Sequence, residues 1–277
     1  MSETSDHPSG RASFDDGRYL YCLVGLDGED RRTNQFARGV DGGRPYLVSE
    51  ERVGAVVQHC ECQFDSDRPE TVKEWLLQHQ TVVDEAGQVF GTPLPFRFDT
   101  VLTGDDNKVR DWLAEESSTL LNALNELEGL WEYRIELVWN LERQNDEVED
   151  NERLAAIREQ RDNTSAGKAH LLQKEYERRQ ARLAERRRQD VICNLQERLA
   201  ELVQEVHSVD RSRAPALTDR QSGSDEARHM TAILASTQHE ANIGEYLDTI
   251  TSKPGLAVRF TGPWPPYSFA PTIGQDQ

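Results

Sequence analysis

The chain has 277 residues, enough for two modest domains or for one domain with a helical insertion. Its formal net charge is −18, from 50 acidic and 32 basic side chains. That balance argues against nucleic acid as a main partner, because phosphate binding needs clustered Lys and Arg, and it would repel the chain from an anionic membrane surface.

Hydrophobic residues make up 36% of the sequence, so a packed core is possible. Lysine occurs only at Lys73, Lys108, Lys168, Lys174 and Lys253; every other basic residue is arginine. An acid-rich, lysine-poor surface suits molar salt, where the Debye length falls to about 3 Å and repulsion between carboxylates is screened. The expectation is a halophilic, cytoplasmic protein. No window approaches the roughly 20 apolar residues of a membrane span. The N-terminus, MSETSDHPSGRASFDDG, lacks the basic start and apolar run of a secretory signal; residues 1–17 read as a polar, disordered tail. Cys22, Cys60, Cys62 and Cys193 form no disulfide framework, which fits a reducing cytosol.

In chain order, Tyr19 to Val24 is a β-prone run, Arg44 to Val48 a weaker strand, and Arg52 to Gln58 a valine-rich strand. From Pro69 to Ala86 the spacing of Val72, Trp75, Leu76, Val82 and Val83 predicts a helix, with Gly87 just past its end. In GTPLPFRFDTVL, Leu94, Phe96 and Phe98 alternate as strand residues do, but Pro93 and Pro95 confine the segment to an edge strand or an irregular one. Asp105 or Asp106 then caps a helix through about Leu127. Trp131, Tyr133, Ile135, Leu137 and Trp139 give the clearest strand pattern in the sequence.

Residues 141–208 read as long, charged and helical, with a break near 162–168 and an apolar stripe from Val191 through Leu195, Leu199, Leu202 and Val206. A polar loop from Arg211 to Ser224 follows. Beyond it come a strand (His229–Ser236), a helix (Gln238–Ile250) and a strand (Leu256–Thr261). No internal repeat is visible. The predicted fold class is α+β: two small α+β domains, residues 18–128 and 129–277, with the helical segment inserted in the second and an aromatic, proline-rich tail at 262–277.

The tail, GPWPPYSF, is the most distinctive motif. Pro263, Pro265 and Pro266 stiffen the backbone, while Trp264, Tyr267 and Phe269 offer contact area with little rotamer entropy to lose. It suits either packing on its own domain or docking to a partner. His59-Cys60-Glu61-Cys62 contains metal-ligating types but has no second Cys/His pair nearby. Lys174 to Arg188 is locally basic; it reads as a helix face with pairs such as Glu175–Arg179, or else as a docking strip for an acidic partner. No cofactor motif and no catalytic constellation emerges.

TPLPFRFDTVL, SAGKAHLLQKEYERR at 165–179 and RFTGPWPPYSF at 259–269 stand in the order and spacing seen in the GvpF/GvpL family of gas vesicle accessory proteins, which the chain resembles over roughly residues 19–270. Its length and long helical insertion favour the GvpL-like branch. The family often has glycine where this chain has Asp99, which puts in question any backbone geometry there that requires a positive φ. The resemblance implies a ferredoxin-like N-terminal part and association with the gas vesicle shell protein and other accessory proteins, without catalysis. Arg97, Phe98, Pro263, Trp264, Pro265, Pro266, Tyr267 and Phe269 are the candidate contacts. The alternative from another class is a cytosolic enzyme, with or without metal assistance, with a site between the two α+β units.

Overall fold

Strand β1 (Ser13–Gly25) organises the N-terminal sheet. Every side chain from Tyr19 to Val24 is 3% exposed or less, so the run is apolar without alternation, as a strand covered on both faces must be. The computed structural model describes residues 13–26, 36–141, 143, 151–209, 226–253 and 255–271. The polar loop expected at 211–224 lies outside these residues, as does most of the tail expected at 1–17. Its last part is corrected: Gly17 already pairs with Cys60 and Thr103, and Phe14 packs on the core.

The chain divides into two units, Met1–Glu132 with Pro263–Gln277, and Tyr133–Gly262. In the first, β1 pairs antiparallel with β3 (Val53–Cys62), which pairs with β2 (Tyr46–Glu50). On its other edge β1 meets the short strands β4 (Leu94–Pro95) and β5 (Val101–Thr103). Beyond the two-residue edge strand β4 the segment carrying Phe96 and Phe98 is irregular, since Pro93 and Pro95 lack the N–H groups that a longer ladder needs.

Helix α1 (Pro69–Phe90) starts with Pro69 in its first turn, as predicted, but runs past the expected stop. Gly91, at φ 84°, ends it. Gly87 is instead buried within the helix, where an added Cβ would come within 3.0 Å of the Trp131 ring. Its glycine serves close packing rather than termination. The single helix expected up to Leu127 is two, α2 (Asp106–Glu115) and α3 (Ser117–Leu127), parted at Glu116. Asp105 is the cap, its carboxylate accepting from the Asn107 and Lys108 N–H groups.

The second unit takes most of β6 (Leu130–Asn140), then α4 (Glu152–Asp162), α5 (Ala166–Ala200), β7 (Glu205–Ser208), β8 (Glu226–Ser236), α6 (Glu240–Thr251) and most of β9 (Leu256–Trp264). The expected break falls between α4 and α5. The helical reading of 141–208 fails at its end: Val206 is opposite Ile233 in an antiparallel ladder and not on the α5 stripe. Ile192, Leu195 and Leu199 are buried, each contributing about 1.5–3 kcal/mol.

The two sheets share one order, β2-β3-β1-β4 and β7-β8-β6-β9, in which the first strand of each set lies between the third and the fourth. The second unit has the element sequence β-α-β-β-α-β, α4 and α5 together forming its first crossover. The first unit, for which a ferredoxin-like arrangement was expected, joins β1 to β2 with only a 3-10 turn, Val40–Gly42, among the described residues. Both expected domain limits also move. The division falls between Glu132 and Tyr133 rather than after Glu128, because β6 runs across it, and residues from Pro263 onward belong to the first unit, not the second.

Candidate functional site

In the first unit, β1, α1, the segment after β4 and the chain terminus bring aromatic side chains around His79. The Tyr19 and Tyr21 rings lie 5.7 and 5.3 Å from the imidazole, Phe98 6.1 Å and Tyr267 6.3 Å. The Tyr19 hydroxyl oxygen is 2.7 Å from His79 Nδ1, to which it is hydrogen-bonded, and accepts from the Asp99 N–H at 3.4 Å. Nε2 is buried without a hydrogen bond. Burial lowers the imidazole pKa to about 4, against an opposing contribution from the nearby Phe96 backbone. Beside it a closed polar ring fixes the loop before β2. The Tyr21 hydroxyl donates to Gln58 Oε1 at 2.7 Å, Gln58 Nε2 donates to the Val40 carbonyl at 2.9 Å, and the Val40 N–H donates to the Tyr21 oxygen at 2.9 Å.

His79 carries a pH prediction. Neutral imidazole is stabilised in the folded chain and protonation is favoured on unfolding, so stability present at pH 7 is lost as the pH falls from about 6.5 to about 4. The loss is about 3 kcal/mol over that window. Urea unfolding of the wild type and of His79→Asn at several pH values checks it. The variant, which cannot titrate, should lose correspondingly less; parallel curves would count against the assignment.

Asp99 adopts the positive φ that its departure from glycine put in question, at 64°. Aspartate tolerates this region better than most residues, and here its Oδ1 accepts from the Phe64 N–H at 2.8 Å, offsetting the strain.

The terminal motif is built inward as well as outward. Pro265 and Pro266 are buried. The Phe269 and Ala270 N–H groups donate to the Pro266 carbonyl, closing a turn. The Ser268 N–H and hydroxyl both donate to the Glu132 carboxylate, at 2.7 and 3.0 Å, and Glu132 is 0% exposed. Pro263 is exposed, and Trp264 keeps 40% of its surface in water.

The eight candidate residues therefore separate. Phe98 and Tyr267 meet at His79, and Pro265, Pro266 and Phe269 anchor the turn. Pro263, Trp264 and Arg97 are exposed. Sequence reasoning missed His79, Glu132 and Ser268. Only His79 had a signal, four residues after Trp75 on the apolar side of α1. In His59-Cys60-Glu61-Cys62, Cys60 is in the core with its thiol pKa pushed up by burial to about 11, while His59 is exposed and lies 3.3 Å from Asp16. Among the described residues, no group of three or more His, Cys, Asp or Glu could hold a metal ion. Among them too, no helix is long and apolar enough to cross a membrane.

Fold and site together define a two-unit α+β protein whose terminal aromatic strip is pinned by hydrogen bonds to the buried Glu132 and leaves one indole outside. Residues 17–271 match the family described as gas vesicle synthesis protein GvpL/GvpF, and the chain belongs to that family. It is 39% identical to gas vesicle protein L1 of Halobacterium salinarum, over 94% of this chain and 92% of that protein. To gas vesicle protein L of Haloferax mediterranei it is 34% identical, over 98% and 95%. The fold is similar to the crystal structures of GvpF from Anabaena sp. (TM-score 0.69, 19% identity, 95% of this chain and 100% of that one) and from Microcystis aeruginosa (TM-score 0.63, 20% identity, 92% and 99%). Membership supports a gas vesicle accessory role, and the haloarchaeal relatives agree with the acidic, lysine-poor composition.

Proposed function

We propose that the chain is a non-enzymatic assembly adaptor that grips the gas vesicle shell protein, or another accessory protein, as vesicles nucleate. An apolar subunit in water aggregates unless its sticky face is covered, and a highly charged carrier with a rigid aromatic strip can cover it. The observation that carries this reading is Trp264: a large indole, 40% exposed, on a segment that hydrogen bonds to the buried Glu132 already hold in place. Such a side chain loses little entropy on binding. Arg97 and Pro263, both exposed, are the companion contacts; Phe98, Tyr267 and Phe269 support the strip from beneath. The protein works in the cytoplasm, apart from any small share retained in the vesicle.

Trp264→Ala tests the proposal. Capture of purified shell protein in molar KCl should fall at least about tenfold, as for an aromatic hot spot, while unfolding shifts by under about 1 kcal/mol. Leu171→Ala, at an aliphatic side chain 67% exposed on α5, should leave capture unchanged. Undiminished capture by the Trp264 variant would remove the assignment of the contact.

A further inference from the structure

The second unit holds a feature that the terminal strip does not explain. Helices α4 and α5 pack against each other through Leu154, Ile157 and Tyr176. At the start of α4 the pair opens into a groove of about 600 Å³, lined among the described residues by Arg153, Arg179, Arg182, Arg186 and Arg187 against one acid, Glu152. All five arginines are exposed. Arg179 is paired with Glu175 at 2.9 Å, as the sequence suggested. Arg153, Arg182 and Arg186 have no acidic partner among the described residues. In a chain of net charge −18, five arginines beside Glu152 and the Glu175 that pairs with Arg179 make, among the described residues, a local inversion of sign.

We infer that this groove is a second docking site, and that its occupant is a carboxylate-rich segment of another polypeptide. Three features select that occupant. The arginines are strung along α5 at 179, 182 and 186, a rise of about 10 Å, so they match charges spread along a chain rather than one compact anion. The floor is apolar, with Leu154 buried and Leu183 half-buried, and can take the aliphatic stems of glutamates. Finally, a guanidinium binds a carboxylate through two parallel hydrogen bonds at contact distance, which survive where molar salt screens everything beyond about 3 Å. An acidic segment on a neighbouring protein in concentrated salt therefore finds a complementary partner here. The inference is independent of the reading of Trp264.

The test uses the full chain, a fluorescein-labelled oligoglutamate peptide and anisotropy in molar KCl. The wild type should bind the peptide, and the double variant Arg182→Gln/Arg186→Gln should bind it at least about tenfold more weakly, as expected on losing two charge-assisted contacts. Glutamine keeps the helix, and circular dichroism should show unchanged helix content. Trp264→Ala should bind the peptide like the wild type, so that failure of the terminal strip as a contact leaves this site standing, and the reverse. Equal affinity of the double variant and the wild type would overturn the proposal. So would absence of peptide binding, or displacement of the peptide by single-stranded RNA or pyrophosphate at lower concentration than by unlabelled oligoglutamate.

Discussion

A chain ending at Trp264 should lose about 3–5 kcal/mol of the stability of the first unit, the cost of stripping two hydrogen bonds from a buried carboxylate together with the packing of the turn. Glu132 is 0% exposed, and the Ser268 N–H and hydroxyl supply two of its hydrogen bonds. The same truncation removes the buried Pro265 and Pro266 and the Tyr267 ring beside His79. Urea unfolding should show the midpoint of the truncated chain well below that of the full chain, with Ser268→Ala in between at about 1–2 kcal/mol. A truncated chain that unfolds at the wild-type urea concentration would show that the terminal turn is a passive appendage. This is also why deletion of the motif cannot test partner binding. It removes a structural anchor together with the exposed indole, whereas Trp264→Ala removes the indole alone.

The anchoring explains what could be read from the sequence and what could not. Elements with strong local periodicity, such as α1, β6 and α6, were legible because burial of one face repeats every few residues. The break at Glu116 was not. Hydrogen bonds continue across it, from Glu116 to Trp112 and from Leu120 to Glu116, and only the Glu116 dihedrals, −96° and 5°, leave the helical region. An apolar stripe averaged over several turns does not register so small a kink. Gly87 was misread for a related reason: a glycine within a helix looks like a stop until the Trp131 ring that it accommodates is known. Strand β7 was hidden because EVHS continues the helical stripe by chance, and its pairing with β8 is set by residues far along the chain.

The candidate site divides on the same principle. Its aromatic members stand out by type. Glu132 does not, since a glutamate in an alternating strand reads as the solvent side, and the serine that satisfies it is 136 positions away. The repeat of strand order between the two sheets is likewise invisible in residue identities: β1 is apolar on both faces, whereas β6 carries glutamates among its apolar residues. Topology is set by which segments can bury their faces together, not by which residues they use.

Glu136, on the same side of β6 as Glu132 by strand alternation, leads to the second large effect. It is 7% exposed and accepts from Arg228 Nη1 at 3.1 Å and Arg259 Nη1 at 3.2 Å. Arg228 is itself mostly covered, with 15% of its side chain exposed, and bonds also to Glu226 at 2.7 Å. The Glu226 hydrogen bond above all, with help from Glu136 and against burial, raises the Arg228 pKa. Replacing Arg228 with Leu leaves a buried carboxylate dependent on Arg259, whose side chain is 63% exposed and whose interaction water weakens. The expected cost is about 2–4 kcal/mol in the second unit, against under about 1 kcal/mol for Arg259→Leu. The double variant Glu136→Leu/Arg228→Leu should recover much of the loss, because most of the penalty belongs to the stranded charge rather than to the pair. Equal, small costs for the two arginine variants would mean that water reaches Glu136 and that the buried pair has no structural weight.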